Sequence, residues 1–384
     1  MDNYSLDAIL LLEDGTVFEC RAVSQGTCFG ELVFNTSMTG YQEILTDPSY
    51  RGQIVVMTIP HVGNYGVAES VAESDRPWVE GFIARRFTHK ASSHGSEEEL
   101  IAYLRRHGIP AVDRLDTRAV VRRIREYGAM RAVVTTERSD LGGLTEELEA
   151  LPSITGRGLV HEVCCREEYR VEPSPGISTN CHLGVLDFGV KANILRSLAD
   201  RGASLTVFPA STSAEAIISA GVDGVVLSNG PGDPEPLASI VDEIRNLMDA
   251  GVPIFGICLG HQLLGLAVGG KTFKLKFGHH GGNQSVRDLD SGQILITSQN
   301  HGFAVDPDSL PETCRVTQVN LNDGTVEAFV VNDRPILSTQ YHPEAAPGPH
   351  DAAGLFDRFL SGIVRTPSAG ADRRADFEPA TGSG

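Results

Sequence analysis

The chain has 384 residues, 41% of them hydrophobic and 21% charged, which suits a folded protein with two or three packed cores. Acidic residues outnumber lysine and arginine by 50 to 32, giving a net charge of −18, so a nucleic-acid partner, which needs a concentrated basic face, is not expected. No apolar run approaches the roughly 18 residues of a membrane span and no basic region precedes an apolar one at the N-terminus; seven cysteines without framework spacing suggest neither disulfides nor a metal site, so a cytoplasmic protein is expected.

In chain order, residues 1–151 carry short apolar runs such as Ala8 to Leu12 and Gln53 to Met57 with few helical patterns, and predict an α/β domain rich in strands. The basic cluster Arg118 to Arg125 has helical spacing and reads as a solvated face or an interface. Residues 152–180, punctuated by proline, serine and glycine, read as a linker. From residue 181 to 365 apolar strands at 182–187, 204–208, 224–227 and 253–256 alternate with helical patterns, which predicts a doubly wound, mostly parallel sheet. The stretch 366–384, rich in Gly, Ala, Ser and Pro, predicts a disordered tail.

Within the parallel unit, Leu227-Ser-Asn-Gly230-Pro-Gly232-Asp-Pro follows an apolar strand and precedes a helix. Its glycines and prolines make a rigid turn, either an ordinary strand-to-helix loop or a loop whose N–H groups hold an oxyanion. Cys258 then stands between an apolar strand and an apolar-faced helix, with Gly256 and Gly260 two residues to either side. This is the cysteine form of a nucleophile elbow, where side chains at the flanking positions would collide and the helix start favours negative charge on sulfur. A buried structural cysteine remains the other reading of the elbow alone. Residues 265–272 satisfy the pattern Gly-x4-Gly-Lys-Thr, but a helix precedes and an alternating strand at 271–277 follows. The context is the inverse of a phosphate loop, and no nucleotide is expected there. His342 and Glu344 flank Pro343 after an apolar strand end; an extended backbone would place them on one side, as an imidazole base and its orienting carboxylate.

The segments Ser228 to Pro234, Gly256 to Gln262 and His342-Pro-Glu344, in this order, resemble the triad-type, class I glutamine amidotransferases. Phe277 to Asn283, Ser298 to Phe303, His342 to Asp351, and in the other half Phe34 to Tyr50 and Leu115 to Gly128, are similar to the small, glutamine-hydrolysing subunits of carbamoyl-phosphate synthases. The resemblance runs over roughly residues 6–365. It implies Cys258 as nucleophile, His342 as base and Glu344 as orienter. It also implies an oxyanion site at the N–H groups of Gly230 and Leu259, and glutamine contacts from Ser37, Gly232, Gln262, Asn300, Gly302 and Phe303. Gln262, one turn after Cys258, has packing or capping as its other reading; His261, His279, His280 and His301 read as structural or interface groups. The resemblance further implies a large ATP-dependent synthetase subunit as partner, with ATP and its metal ion on that partner and no cofactor on this chain. A free-standing thiol hydrolase of γ-glutamyl compounds, or the glutaminase of another synthase, are the alternatives; the first leaves the N-terminal domain without a purpose.

Overall fold

The computed structural model describes residues 7–364, so the stretch read as a tail from 366 lies outside the described residues. The N-terminal strands close into a barrel in the order Ala8–Leu12, Val17–Ser24, Ala111–Asp113, Gly81–Ile83, Gln53–Met57, Thr27–Asn35, Met130–Thr135. Strand residues alternate in direction, so every second side chain, among them Leu10, Leu32, Ile54, Ile83, Val112 and Val134, joins one buried cluster to which all the strands contribute. Val120 and Ile124 of the helix Thr117–Tyr127 complete that cluster, leaving Arg118, Arg122 and Arg125 exposed. The Asp116 carboxylate accepts from the Ala119 N–H and caps this helix.

In the second unit five central strands run parallel, in the order Ala203–Pro209, Cys181–Asp187, Gly224–Leu227, Ile254–Ile257, Ile336–Thr339. One face buries Leu186, Val225, Leu227 and Ile254 beneath the helices Ala238–Asp249 and Leu259–Ala267; the other buries Val185, Val226, Phe255 and Leu337 beneath Ala192–Ala199 and Gly354–Val364. The strands are apolar on both faces because both are covered, which is the doubly wound pattern read from the sequence.

Two features depart from the expectation. Beyond Ile336–Thr339 the sheet continues as an antiparallel wing of Val326–Val331, Cys314–Asn320, Thr272–Asp288 and Ile294–Val305. The strand read at 271–277 runs on to Asp288 through Gly278, Gly281 and Gly282, with register shifts at 274/279 and 281/284, so the alternation that marks a strand is lost halfway along. The stretch 152–180 is not a bare linker: it holds the short helix Val160–Val163 and the strand Tyr169–Val171, which pairs antiparallel with the edge strand Ala203–Pro209.

The barrel packs on the wing. Thr36 donates its N–H to the His280 carbonyl at 3.1 Å and its hydroxyl to Asn283 at 2.7 Å; the Lys274 ammonium pairs with Glu31; Phe34 and Phe277 rings lie 5.9 Å apart. This docking brings the barrel against the carboxyl ends of the parallel strands, where ligands bind in such sheets.

Candidate active site

Cys258 has φ 54° and ψ −103°, a backbone that non-glycine residues adopt only where the surroundings hold them. The flanking glycines are forced by contact. A Cβ on Gly256 would stand 2.8 Å from the Gly260 carbonyl oxygen, and one on Gly260 would stand 2.2 Å from that of Leu227. The elbow is thus pressed against the neighbouring strand, and the buried thiol points at the Asn300 carbonyl oxygen, 3.6 Å away.

His342 is held by its N–H to the Ser298 carbonyl at 2.9 Å, and its Nδ1 meets Glu344 Oε1 at 2.7 Å. The backbone between them is not extended as the sequence reading has it. Ala345 N–H closes back on the His342 carbonyl at 3.1 Å, making a four-residue turn with Pro343 at its second position, and the turn folds the carboxylate onto the ring. His342 Nε2 has no hydrogen-bond partner among the described residues, which leaves it open on the side away from Glu344. Burial alone would lower the pKa of this imidazole, but the Glu344 carboxylate, and beyond it the Cys258 sulfur, outweigh burial and raise it to about 10. The carboxylate thus favours the protonated imidazole, the form a base takes on once it has accepted a proton.

Glu344 is itself anchored by Lys191, whose Nζ donates to Glu344 Oε1 at 2.9 Å and to the Ala345 carbonyl at 2.7 Å, all three groups buried. Burial would raise the Glu344 pKa; the Lys191 ammonium and then His342 overcome it and hold the carboxyl at about 2. The Lys191 ammonium keeps its proton despite burial because Glu344, Glu73 and Asp47 surround it.

Gly230, Gly232, Cys258, Gln262, Asn300, Gly302 and Phe303 line one cavity, joined by Glu31, Ser49 and Gln53 from the barrel. Its volume is about 20 Å³, room for a water molecule and not for an amino acid. Only glycine fits at 230, where a Cβ would stand 2.2 Å from the Phe188 carbonyl oxygen, and at Gly232, where φ is +89° and a Cβ would meet the Arg157 carbonyl at 2.5 Å. Leu259 is buried at the helix start, with its side chain under Gly230, and does not line the cavity. Gln262 donates to the Phe303 carbonyl at 2.8 Å and to Gln340 at 3.1 Å, so it ties the elbow helix to two strands while bordering the cavity. Ser37 does not line this cavity either: its hydroxyl accepts from the Gly282 N–H at 3.1 Å where barrel meets wing.

The other histidines are taken up by packing. His261 Nδ1 pairs with Ser338 at 3.0 Å, and burial lowers its pKa to about 3. His280 Nδ1 pairs with Asn300 Oδ1 at 2.8 Å. His279, His301 and Glu327 place possible ligand atoms within 4.8 Å of one another. Both nitrogens of His301 are already engaged, by Phe303 O at 2.8 Å and Gln299 Oε1 at 3.1 Å, and zinc bonds of about 2.0–2.2 Å would need a tighter group. In the glycine-rich stretch 265–272 the helix ends at Ala267 and the next strand begins at Thr272, the inverse of a phosphate loop.

Residues 184–361 match the family described as glutamine amidotransferase class-I, and residues 10–134 the CPSase domain of the carbamoyl-phosphate synthase small chain. The carbamoyl phosphate synthase small chain of Yersinia pestis is 48% identical over 367 residues, covering 92% of this chain and 94% of its own. That of Escherichia coli is 47% identical over 367 residues, covering 92% and 96%. The chain belongs to the carbamoyl phosphate synthase small chain family. Among its described residues no helix is long and apolar enough to cross a membrane.

Set against this family's elbow and His-Pro-Glu segment, sequence reasoning missed Lys191, Asp47 and Ser49. Lys191 had a signal: it lies in the loop after the strand Cys181–Asp187, at the carboxyl end of a parallel sheet, where a buried lysine needs a carboxylate. Asp47 and Ser49, in a Pro-containing turn of the barrel, had none.

Proposed function

We propose that this small chain hydrolyses glutamine at Cys258 and delivers the ammonia to a large ATP-dependent synthetase subunit, which forms carbamoyl phosphate from bicarbonate for arginine and pyrimidine synthesis. The observation that carries the chemistry is the strained elbow of Cys258 in the same buried site as a His342 clamped by Glu344 and Lys191. His342 takes the Cys258 proton as the sulfur attacks the side-chain amide carbon; the S–C bond forms and the carbonyl becomes a tetrahedral oxyanion, which collapses with cleavage of the C–N bond as His342 passes the proton to the departing nitrogen. Water then attacks the thioester as His342 takes one of its protons, and His342 returns that proton to the sulfur as the C–S bond breaks, freeing the thiol and glutamate, whose carboxyl ionises with loss of the second water proton. Glu344 keeps the ring oriented throughout. The N–H groups of Gly230 and Leu259 are assigned to the oxyanion, and Gly232, Gln262, Asn300, Gly302 and Phe303 to the amino-acid end of glutamine. Ser37 is assigned to glutamine as well, by resemblance, and would require movement at the junction of barrel and wing. ATP and its metal ion belong to the partner in this reading, and no cofactor or metal is assigned to this chain.

A cavity with room for one water supports a site that opens when the partner binds, so the isolated chain is expected to be a slow glutaminase that the synthetase accelerates. Ammonia release from glutamine, measured with and without a purified synthetase subunit, tests the reading together with co-elution of the two. Cys258→Ser is expected to abolish glutamine-dependent synthesis while ammonia-dependent synthesis by the complex survives. Substantial glutamine turnover by that variant removes Cys258 as nucleophile; no co-elution and no acceleration favour the free-standing hydrolase.

A further inference from the structure

One barrel carboxylate bonds to both sides of the proposed glutaminase site. Asp47 is buried at the start of the turn Pro48–Tyr50, where Oδ1 accepts from the Ser49 N–H at 2.9 Å. The same Oδ1 accepts from Asn229 Nδ2 at 3.4 Å, and the Ser49 hydroxyl takes that amide at 2.9 Å. Asp47 Oδ2 accepts from Asn300 Nδ2 at 2.9 Å. Each partner is one bond from the chemistry. Asn229 directly precedes Gly230, and its Oδ1 accepts from the Lys191 N–H at 3.1 Å; the Asn300 carbonyl faces the Cys258 sulfur at 3.6 Å.

We propose that Asp47 is a positioning residue: through Asn229 and Asn300 it sets the spacing between the oxyanion loop and the strand opposite Cys258, so that the barrel holds the two walls of the site in catalytic register. The proposal rests on the glutaminase reading and adds to it a route by which the N-terminal domain governs the rate. The geometry favours this over a bare interface contact. Asn229 and Asn300 both present donors, and only a carboxylate at 47 offers an acceptor to each while still capping its own turn. The two walls it joins belong to different segments of the second unit, and Asn229 and Asn300 have no direct hydrogen bond to each other among the described residues.

The test is steady-state glutamine hydrolysis by the complex carrying Asp47→Asn, which keeps the size of the side chain and turns one acceptor into a donor facing a donor. A displacement near 1 Å at a catalytic wall lowers turnover by roughly a hundredfold, so kcat is expected to fall between about 10- and 100-fold, with KM changing much less. A purely structural Asp47 would instead lower the melting temperature and leave the kcat of the folded complex unchanged. A folded Asp47→Asn complex with wild-type kcat overturns the proposal. Should that variant not fold, Asp47→Ser decides: its hydroxyl can still cap the turn, but the bond to Asn300 is lost, so kcat is expected to fall about as far, and wild-type kcat in it also overturns the proposal. Failure of the unaltered complex to hydrolyse glutamine at all would instead sink the glutaminase reading itself.

Discussion

Replacing Gly260 by alanine isolates the steric basis of the elbow. In an exposed helix this change stabilises by about 1 kcal/mol, because alanine loses less backbone entropy. Here the added Cβ would lie 2.2 Å from the Leu227 carbonyl oxygen and 2.7 Å from Leu227 C, whereas real Cβ atoms keep at least 3.0 Å. The obstacle is backbone in a central strand paired on both sides, so it cannot turn away as a side chain could. The helix Leu259–Ala267 must therefore back off by close to 1 Å, carrying with it the Leu259 N–H and twisting Cys258. Overpacking of this kind costs about 1–3 kcal/mol, more than the propensity gain, and a shift near 1 Å costs about a hundredfold in rate. The expected outcome is a lower melting temperature with kcat/KM for glutamine reduced roughly a hundredfold in the protein that remains folded. Gly142→Ala is the control. It lies in the exposed helix Leu141–Ala150 with nothing within 4 Å of the added Cβ, and should raise stability slightly without touching activity. A Gly260→Ala chain with wild-type melting and wild-type hydrolysis would refute the reasoning.

His342→Asn removes the proton carrier and should lower glutamine hydrolysis by about 10³-fold or more, and Glu344→Gln by less because it only orients the ring; similar, near-normal rates for both would defeat these roles. Lys191→Met leaves the buried Glu344 carboxylate with His342 as its only charged neighbour at bonding distance and is expected to cost about 3–5 kcal/mol, read by denaturant unfolding; a loss below about 1 kcal/mol would place the pair among inconsequential ones. The same pair sets an acid limit. The Glu344 pKa falls from 4.5 unfolded to about 2 folded, so its contribution is complete above pH 4.5 and is lost as pH drops from there toward 2. Because the unfolded carboxyl sets the onset, melting curves should begin to decline at the same pH in both proteins, but Lys191→Met should lose less stability on acidification and level off at a higher pH than the parent; coincident acid limbs would argue against the coupling.

Cys258, its flanking glycines and the His-Pro-Glu segment are legible in the sequence because each pattern is short. The elbow falls within five consecutive positions, although the contact that forces Gly260 comes from Leu227, and His342 meets Glu344 across a single turn. The parallel strands are legible too, since burial on both faces makes each an unbroken apolar run bounded by turn residues. The antiparallel wing was not, because glycines interrupt the alternation of its longest strand. Ser37 lies in a segment that is legible in the sequence, but where its hydroxyl sits, accepting from the Gly282 N–H at the junction of barrel and wing, is set by the docking of the two units.

Tertiary structure sets the electrostatic and mechanical surroundings of Cys258, His342 and Glu344. Lys191 pairs with Glu344 across 153 positions of chain, and Asp47 reaches Asn229 across 182 and Asn300 across 253. A lone Lys or Asp in a turn carries no mark of its partner, because periodicity reports which face is buried and says nothing of which charge waits there. The cost of burying a charge without a partner makes such contacts necessary wherever the fold closes over one. The Cys258 elbow and the His342-Pro-Glu344 turn are thus written in short stretches of chain, whereas the lysine and the barrel carboxylate packed around them follow from how distant segments meet.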